Sequence, residues 1–169
     1  MRWTLKKESD KETAAKLAKD LQVDLTIAEI LCQRNIETFE EAKNYFRPSL
    51  EDIHDPFLMK DMDFAVARIE AAIANNENIL VYGDYDVDGT TAVSLVASYL
   101  KTIYPNIATY IPDRYAEGYG ISYMGIDFAQ DNDFSLIIAL DCGIKALDKV
   151  TYATEKNIDF IICDHHKPG

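Results

Sequence analysis

The sequence has no run of about 18 apolar residues, so it offers no segment that would span a membrane as a helix. Its first residues, Met1-Arg-Trp-Thr-Leu-Lys-Lys7, carry no apolar stretch of the kind that marks a signal peptide. Cysteine is scarce: Cys32, Cys142 and Cys163 cannot make a disulfide framework. Together these absences point to a reducing, cytoplasmic setting with no membrane contact. Basic residues are also short, 17 against 29 acidic ones, for a net charge of −12. That argues against binding of a polyanion through a broad basic surface. It leaves room for nucleic acid if cations neutralise the site or if basic surface lies elsewhere in a longer protein. No internal repeat and no low-complexity segment occurs.

What is present changes character along the chain. Residues 9 to 60 read as helical. Ser9 or Asp10 can cap a segment whose apolar positions Ala14, Leu17, Ala18 and Leu21 share one face. Asp24 to Arg34 gives a second helix around Leu25, Ala28 and Leu31. Thr38-Phe-Glu-Glu41 has the form of a capping box opening a third helix to Phe46. Pro48 and Pro56 bracket a loop. A stronger amphipathic helix spans 61 to 76, with Met62, Ala65, Val66, Ile69, Ala72 and Ile73 at helical spacing.

After residue 77 short apolar runs alternate with helical stripes. The runs are Ile79 to Tyr82, Ile107 to Ile111, Leu136 to Leu140 and Ile158 to Cys163. Each is apolar without in/out alternation, which suits parallel strands covered on both faces. The stripes occupy 90–103, 122–130 and 145–156. The fold expected is α/β: a three-layer open parallel sheet of about four strands, preceded by a small helical region. The division expected is 1–60 for the helical region and 61–169 for the α/β domain.

Three clusters of reactive residues follow three of the four strands. Asp84, Asp86 and Asp88 follow the first, Asp141-Cys-Gly143 the third, and Asp164-His165-His166 the fourth. In a parallel sheet these ends share one edge, where ligands bind. Carboxylates crowded this way repel unless a cation answers them. Asp86, Asp88, Asp141 and His165 offer the oxygen and imidazole donors that suit manganese, magnesium or zinc. If the segment is extended, Asp86 and Asp88 point the same way. Gly89 is read as the start of a helix whose free N–H groups could hold a phosphate oxygen. The stretch Arg114-Tyr-Ala-Glu-Gly118-Tyr-Gly120 could set Arg114 and backbone N–H groups beside an anionic substrate. Tyr82, Tyr85 and Tyr119 are read as packing residues.

Asp86-Val-Asp88-Gly-Thr90 resembles the nucleophile motif of haloacid-dehalogenase-type phosphatases. That family needs Ser or Thr ending the next strand, and Ile111-Pro112 does not supply it. Gly83-Asp-Tyr-Asp-Val-Asp-Gly89, Asp141-Cys-Gly143 and Asp164-His-His166 together resemble the first three motifs of the DHH phosphoesterase superfamily. The loop Pro112-x-Arg114…Glu117-Gly-Tyr-Gly120 and the N-terminal helical region, from about Trp3, are similar to its bacterial single-stranded-DNA-specific exonucleases. The resemblance implies degradation of single-stranded DNA from the 5′ end, in repair and recombination, with two manganese or magnesium ions in the intact enzyme. It implies Asp86, Asp88, Asp141 and His165 as metal ligands, with Asp84 as a further candidate and Asp141 as the bridge. His166 would contact the scissile phosphate, supported by Asp164. One cation would activate the attacking water and both would stabilise the developing charge.

The resemblance has two gaps. Many superfamily members carry His four residues before the first ligand Asp, where this chain has Tyr82. That would weaken one cation site or shift it to Asp84, leaving Asp88, Asp141 and His165 as the tighter site. The superfamily's later metal-binding Asp and its C-terminal domains are not among these 169 residues. The chain is therefore expected to be weakly active or inactive alone, with DNA-repair proteins as the class of further partner. Two alternatives stay open: a DHH hydrolase acting on short oligonucleotides, cyclic dinucleotides or pyrophosphate, and a non-catalytic module that keeps the fold. Asp88→Ala in the intact protein should abolish metal-dependent hydrolysis while leaving a pure binding role untouched. Hydrolysis that survives the change would remove Asp88 from the site.

Overall fold

The structure is a computed structural model, and it describes Thr4, Lys6 and residues 9–169. Trp3, where the family resemblance begins, lies outside the described residues. The chain forms two compact units, residues 1–58 and 59–169.

The first unit is built from three short helices, α1 (Lys11–Leu21), α2 (Leu25–Cys32) and α3 (Phe39–Phe46). Asp10, not Ser9, caps α1 by accepting from the Thr13 N–H. Thr38 and Glu41 form the expected reciprocal capping box on α3. Ala14, Leu17, Ala28, Leu31, Cys32, Ile36 and Ala42 close a small core. Two single-turn 3-10 segments follow, Leu50–Asp52 and Pro56–Leu58.

The second unit runs α4 (Met62–Ala74), β1 (Asn78–Gly83), α5 (Val87–Ile103), β2 (Ile107–Tyr110), α6 (Tyr123–Asp131), β3 (Phe134–Leu140), α7 (Leu147–Glu155) and β4 (Asp159–Cys163). All pairings are parallel and the spatial order is β2-β1-β3-β4. The continuous apolar runs have the expected cause. Ile79, Val81, Leu136, Ile138 and Leu140 face a layer that includes Val93, Ala97, Leu100 and, from α4, Ala72. Leu80, Tyr82, Ile137 and Ala139 face the opposite layer of Ile126, Ala129 and Ala153. Both faces are covered, so both sets of alternating side chains are apolar. Among the described residues no helix is long and apolar enough to cross a membrane.

The strand order places β2 and β3 on opposite sides of β1. The chain therefore reverses its direction across the sheet between β1 and β3. A crevice opens at such a switch point, at the carboxyl ends of the two strands. The segments after β1 and β3 are the ones that carry Asp84, Asp86 and Asp141.

The opposite end of the sheet is tied by charge. Arg68 of α4 reaches Glu77 with Nη2 at 2.7 Å and Asp159 of β4 with Nε at 2.6 Å. Ser135 of β3 also donates to Glu77. The Ser135 hydroxyl first, and then Arg68, hold the Glu77 carboxyl below its ordinary 4.5. A depressed carboxyl contributes stability above that value and loses it as pH falls through the folded pKa. Glu77→Gln should therefore lower stability near neutral pH by about 1–2 kcal/mol and have much less effect at pH values where the carboxyl is already protonated. Urea midpoints measured at the two pH values check this.

Candidate metal centre

The site begins with a carboxylate under a helix. Asp84 follows β1 and is completely buried. Its Oδ1 accepts a long bond from the Asp86 N–H at 3.3 Å, and its Oδ2 has no hydrogen-bond partner among the described residues. Burial pushes this carboxyl above its ordinary value, helped by the nearby Asp86. The first turn of α5 closes over it at Gly89. A Cβ on Gly89 would lie 2.1 Å from Asp84 Oδ1 and 2.8 Å from its carbonyl oxygen. Only glycine fits there.

Asp86 caps α5. Its Oδ1 accepts from the Asp88 and Gly89 N–H groups, both at 3.0 Å. Its Oδ2 accepts from the Tyr119 hydroxyl at 2.9 Å. The Gly89 N–H and then the Tyr119 hydroxyl hold Asp86 below the usual carboxylate range. Asp141 follows β3 with φ of 58°, in the left-handed region that few non-glycine residues adopt. Its N–H donates to the Cys163 carbonyl at 2.8 Å, which extends the β3–β4 ladder by one bond. Its Oδ1 lies 3.0 Å from His165 Nε2.

Asp164 is a hub beneath the histidines, with its side chain only 2% exposed. It accepts from the N–H groups of Ile144 and His166 and pairs with His166 Nδ1 at 2.7 Å. Burial pushes its carboxyl up, but the two backbone donors and His166 together outweigh that and hold it below the usual range. Asp164 in turn raises the His166 pKa.

Two groups of donors emerge. Ligand atoms of Asp84, Asp86 and Asp141 lie within 4.8 Å of one another, and so do those of Asp141, His165 and His166. Asp141 is common to both. The buried Oδ2 of Asp84 is an acceptor that no donor among the described residues satisfies. An acceptor-only carboxylate group on one side and two imidazoles on the other form a set that manganese accommodates well. The residues present therefore fit a divalent cation.

Several expectations change here. Asp86 and Asp88 do not share the face of an extended segment. The chain is helical from Val87, so the two-residue alternation does not apply. Asp88 sits exposed on the first turn of α5, outside both donor groups, and Asp84 occupies the place beside Asp86 and Asp141. The Gly89 N–H is not free, because Asp86 caps it. Gly118 and Gly120 are turn residues with φ of 86° and 81°. The Gly118 N–H is bonded to the Asp113 carbonyl at 3.3 Å, so it is not open to an anion. Arg114 is exposed and lies 5.2 Å from the centre of the Tyr85 ring, without an ion pair among the described residues. Tyr82 is not a weak ligand. Its ring is buried on the α6 side of the sheet, stacked on Tyr110 at 5.3 Å, and its hydroxyl is taken up by the Gly120 carbonyl and the Ser122 N–H. Burial pushes its phenol well above the ordinary value, so it remains a hydroxyl.

One residue at the site escaped the sequence reading. Tyr119 was read as packing, yet its hydroxyl orients Asp86. The nearby carboxylates of Asp84 and Asp86, with some desolvation, raise its phenol pKa. The signal was an aromatic residue held between two glycines in a loop at the ligand-binding edge. Beside the site a groove of about 350 Å³ is lined by Tyr119, Gly120, Asp141, Lys145, Asp164 and His166, among others.

Residues 78–169 match the model of the DHH family, N-terminal domain. The chain belongs to the DHH family. It is 38% identical over 169 residues, its whole length, to the single-stranded-DNA-specific exonuclease RecJ of Bacillus subtilis (strain 168), and spans 21% of that relative. A crystal structure of exonuclease RecJ bound to manganese superposes with a TM-score of 0.61 at 31% identity, over 66% of this chain and 29% of that one. The RecJ–Mn2+ complex from Thermus thermophilus shares the fold, with a TM-score of 0.69 over 94% of this chain and 22% of that one, at 23% identity.

The unpaired Asp84 oxygen gives a direct test of the metal fit. Asp84→Asn should raise the thermal midpoint of the metal-free chain, because an uncompensated buried charge is removed. The same change should shrink the further rise that manganese produces in the parent chain. Thermal scans with and without manganese measure both effects.

Proposed function

We propose that this chain carries the metal-binding part of a 5′-to-3′ single-stranded-DNA exonuclease that works in DNA repair and recombination in the cytoplasm. The observation that supports this best is the meeting of Asp84, Asp86, Asp141, His165 and His166 at the switch point of a DHH-family sheet. The relatives named above supply the substrate class. The chain spans about a fifth of the length of the B. subtilis relative. The reading therefore concerns the intact protein, with residues 61–169 as its catalytic portion and 1–60 as an accessory helical region.

Asp84, Asp86, Asp141 and His165 would hold manganese or magnesium; Asp88, exposed on the first turn of α5 and outside both donor groups, would have to turn toward them to join as a ligand. A bound divalent cation would supply Lewis-acid polarisation of the phosphodiester and ease the deprotonation of an attacking water. The side chains do the positioning. Asp86 is aimed by two backbone N–H groups and Tyr119. His166 is tethered through Nδ1 to Asp164, which leaves its other ring nitrogen for a phosphate oxygen. Arg114, exposed above the Tyr85 ring, would approach the backbone of the strand.

A hydrolase of the same family acting on short oligonucleotides, cyclic dinucleotides or pyrophosphate is the alternative. Initial rates on single-stranded DNA and on these small substrates, measured side by side with the intact protein, distinguish the two. The exonuclease reading expects DNA to be preferred and Asp141→Ala to lower kcat/KM on DNA by about a thousandfold or more. Preference for a small substrate would overturn it.

A further inference from the structure

Tyr82 and Asp84 leave the same strand end two residues apart, and they do different jobs. Asp84 turns into the metal centre. The Tyr82 ring passes through the other face of the sheet, where Gly125 of α6 leaves room for it. A Cβ on Gly125 would come within 2.6 Å of Tyr82 Cε2. The Tyr82 hydroxyl then reaches the segment between β2 and α6. It donates to the Gly120 carbonyl at 2.9 Å and accepts from the Ser122 N–H at 3.1 Å.

A second hydroxyl works alongside. Tyr110, stacked on Tyr82 with an interplanar angle of 17°, donates to Glu117 Oε2 at 2.9 Å. Glu117 also accepts from the Ser122 hydroxyl and, through Oε1, from the Asp113 N–H at 2.7 Å. Ser122 Oγ accepts from the Gly125 N–H at 2.8 Å, which caps α6. The loop is therefore fastened to the sheet from below through Tyr82 and Tyr110. Its exposed side carries Arg114 and Tyr119. Tyr119 sits immediately before the anchored Gly120, packs edge-on against Tyr85 at 5.5 Å, and holds Asp86 Oδ2.

We infer that Tyr82 is a positioning residue for DNA binding: its hydroxyl fixes the loop 113–122 at the height at which Arg114 and Tyr119 meet the substrate strand. The Tyr82 side chain thus holds the substrate-facing loop and stays out of the metal centre. The inference rests on the exonuclease reading above. The loss of the Tyr82 hydroxyl should fall mainly on binding, because Asp141 and His165 are held outside the loop and Asp86 keeps its two backbone N–H groups if its bond to Tyr119 loosens.

The test compares Tyr82→Phe with Tyr104→Phe in the intact protein. Tyr104 is matched as a control: it is buried, its hydroxyl donates to the Glu77 carbonyl at 2.6 Å, and it lies at the opposite end of the sheet. Both changes remove a buried hydroxyl and should lower the thermal midpoint. Only Tyr82→Phe should raise KM for single-stranded DNA, about five- to tenfold, with a smaller change in kcat and in manganese affinity by calorimetry, since Asp86 loses at most its bond to Tyr119. Amide exchange should accelerate about tenfold or more at Ser122 in that variant alone. A KM for Tyr82→Phe equal to that of the parent or of Tyr104→Phe overturns the inference, as does unchanged exchange at Ser122. A parent protein that leaves single-stranded DNA uncut at saturating manganese overturns the exonuclease reading instead.

Discussion

A carboxylate with one unbonded oxygen lies closed beneath the first turn of a helix, and much of the second unit is arranged around it. Asp84 is buried because α5 begins directly above it, and α5 can come that close only because residue 89 is glycine. A buried carboxylate without a donor is unfavourable unless it is neutral or meets a cation. Among the described residues the surroundings give it one long bond, from the Asp86 N–H at 3.3 Å, and leave its other oxygen without a donor. They bring two further carboxylates and two imidazoles to the same corner. This is local instability kept where ligand binding can relieve it.

The rest of the corner is held by bonds that fix direction and leave the cation donors facing one another. Asp86 is aimed by the N–H groups it caps and by Tyr119. Asp164 takes two backbone N–H groups and the His166 ring, so the histidine pair after β4 is oriented by a carboxylate that itself hardly sees solvent. Asp141 adopts left-handed backbone while its N–H continues the sheet ladder. Each arrangement sets the orientation of a donor through backbone groups, which move less than long side chains do. In a chain of net charge −12, bound cations would reverse the sign of the local field at such a corner.

Much of the architecture was legible beforehand. The four apolar runs became the four strands, and their lack of alternation correctly implied cover on both faces. Helix ends were less legible. α5 starts at Val87 and not at Gly89, because Asp86 supplies a cap, and that shift moved Asp88 onto the helix surface. At the site, the types of residue and their convergence on one edge could be read, since parallel strands share polarity. Which aspartate faces which could not. Asp84, Asp86 and Asp88 have equal spacing in sequence, and only the point at which strand gives way to helix separates a buried donor, a cap and an exposed residue.

Tyr82 and Tyr119 mark the same division. Both stand next to glycines in motifs that invite a functional reading, and neither could be placed from spacing. Sequence by itself determined the parallel α/β class, the edge at which the chemistry collects and the donor types gathered there. These follow from hydrophobic periodicity and strand polarity, which are local or repeating properties. Tertiary structure decided the strand order that opens the crevice between β1 and β3. It also decided the enclosure of Asp84, and the use of one tyrosine beneath the loop and another against Asp86. Those depend on distances between segments far apart in the chain, which packing sets and local pattern does not encode.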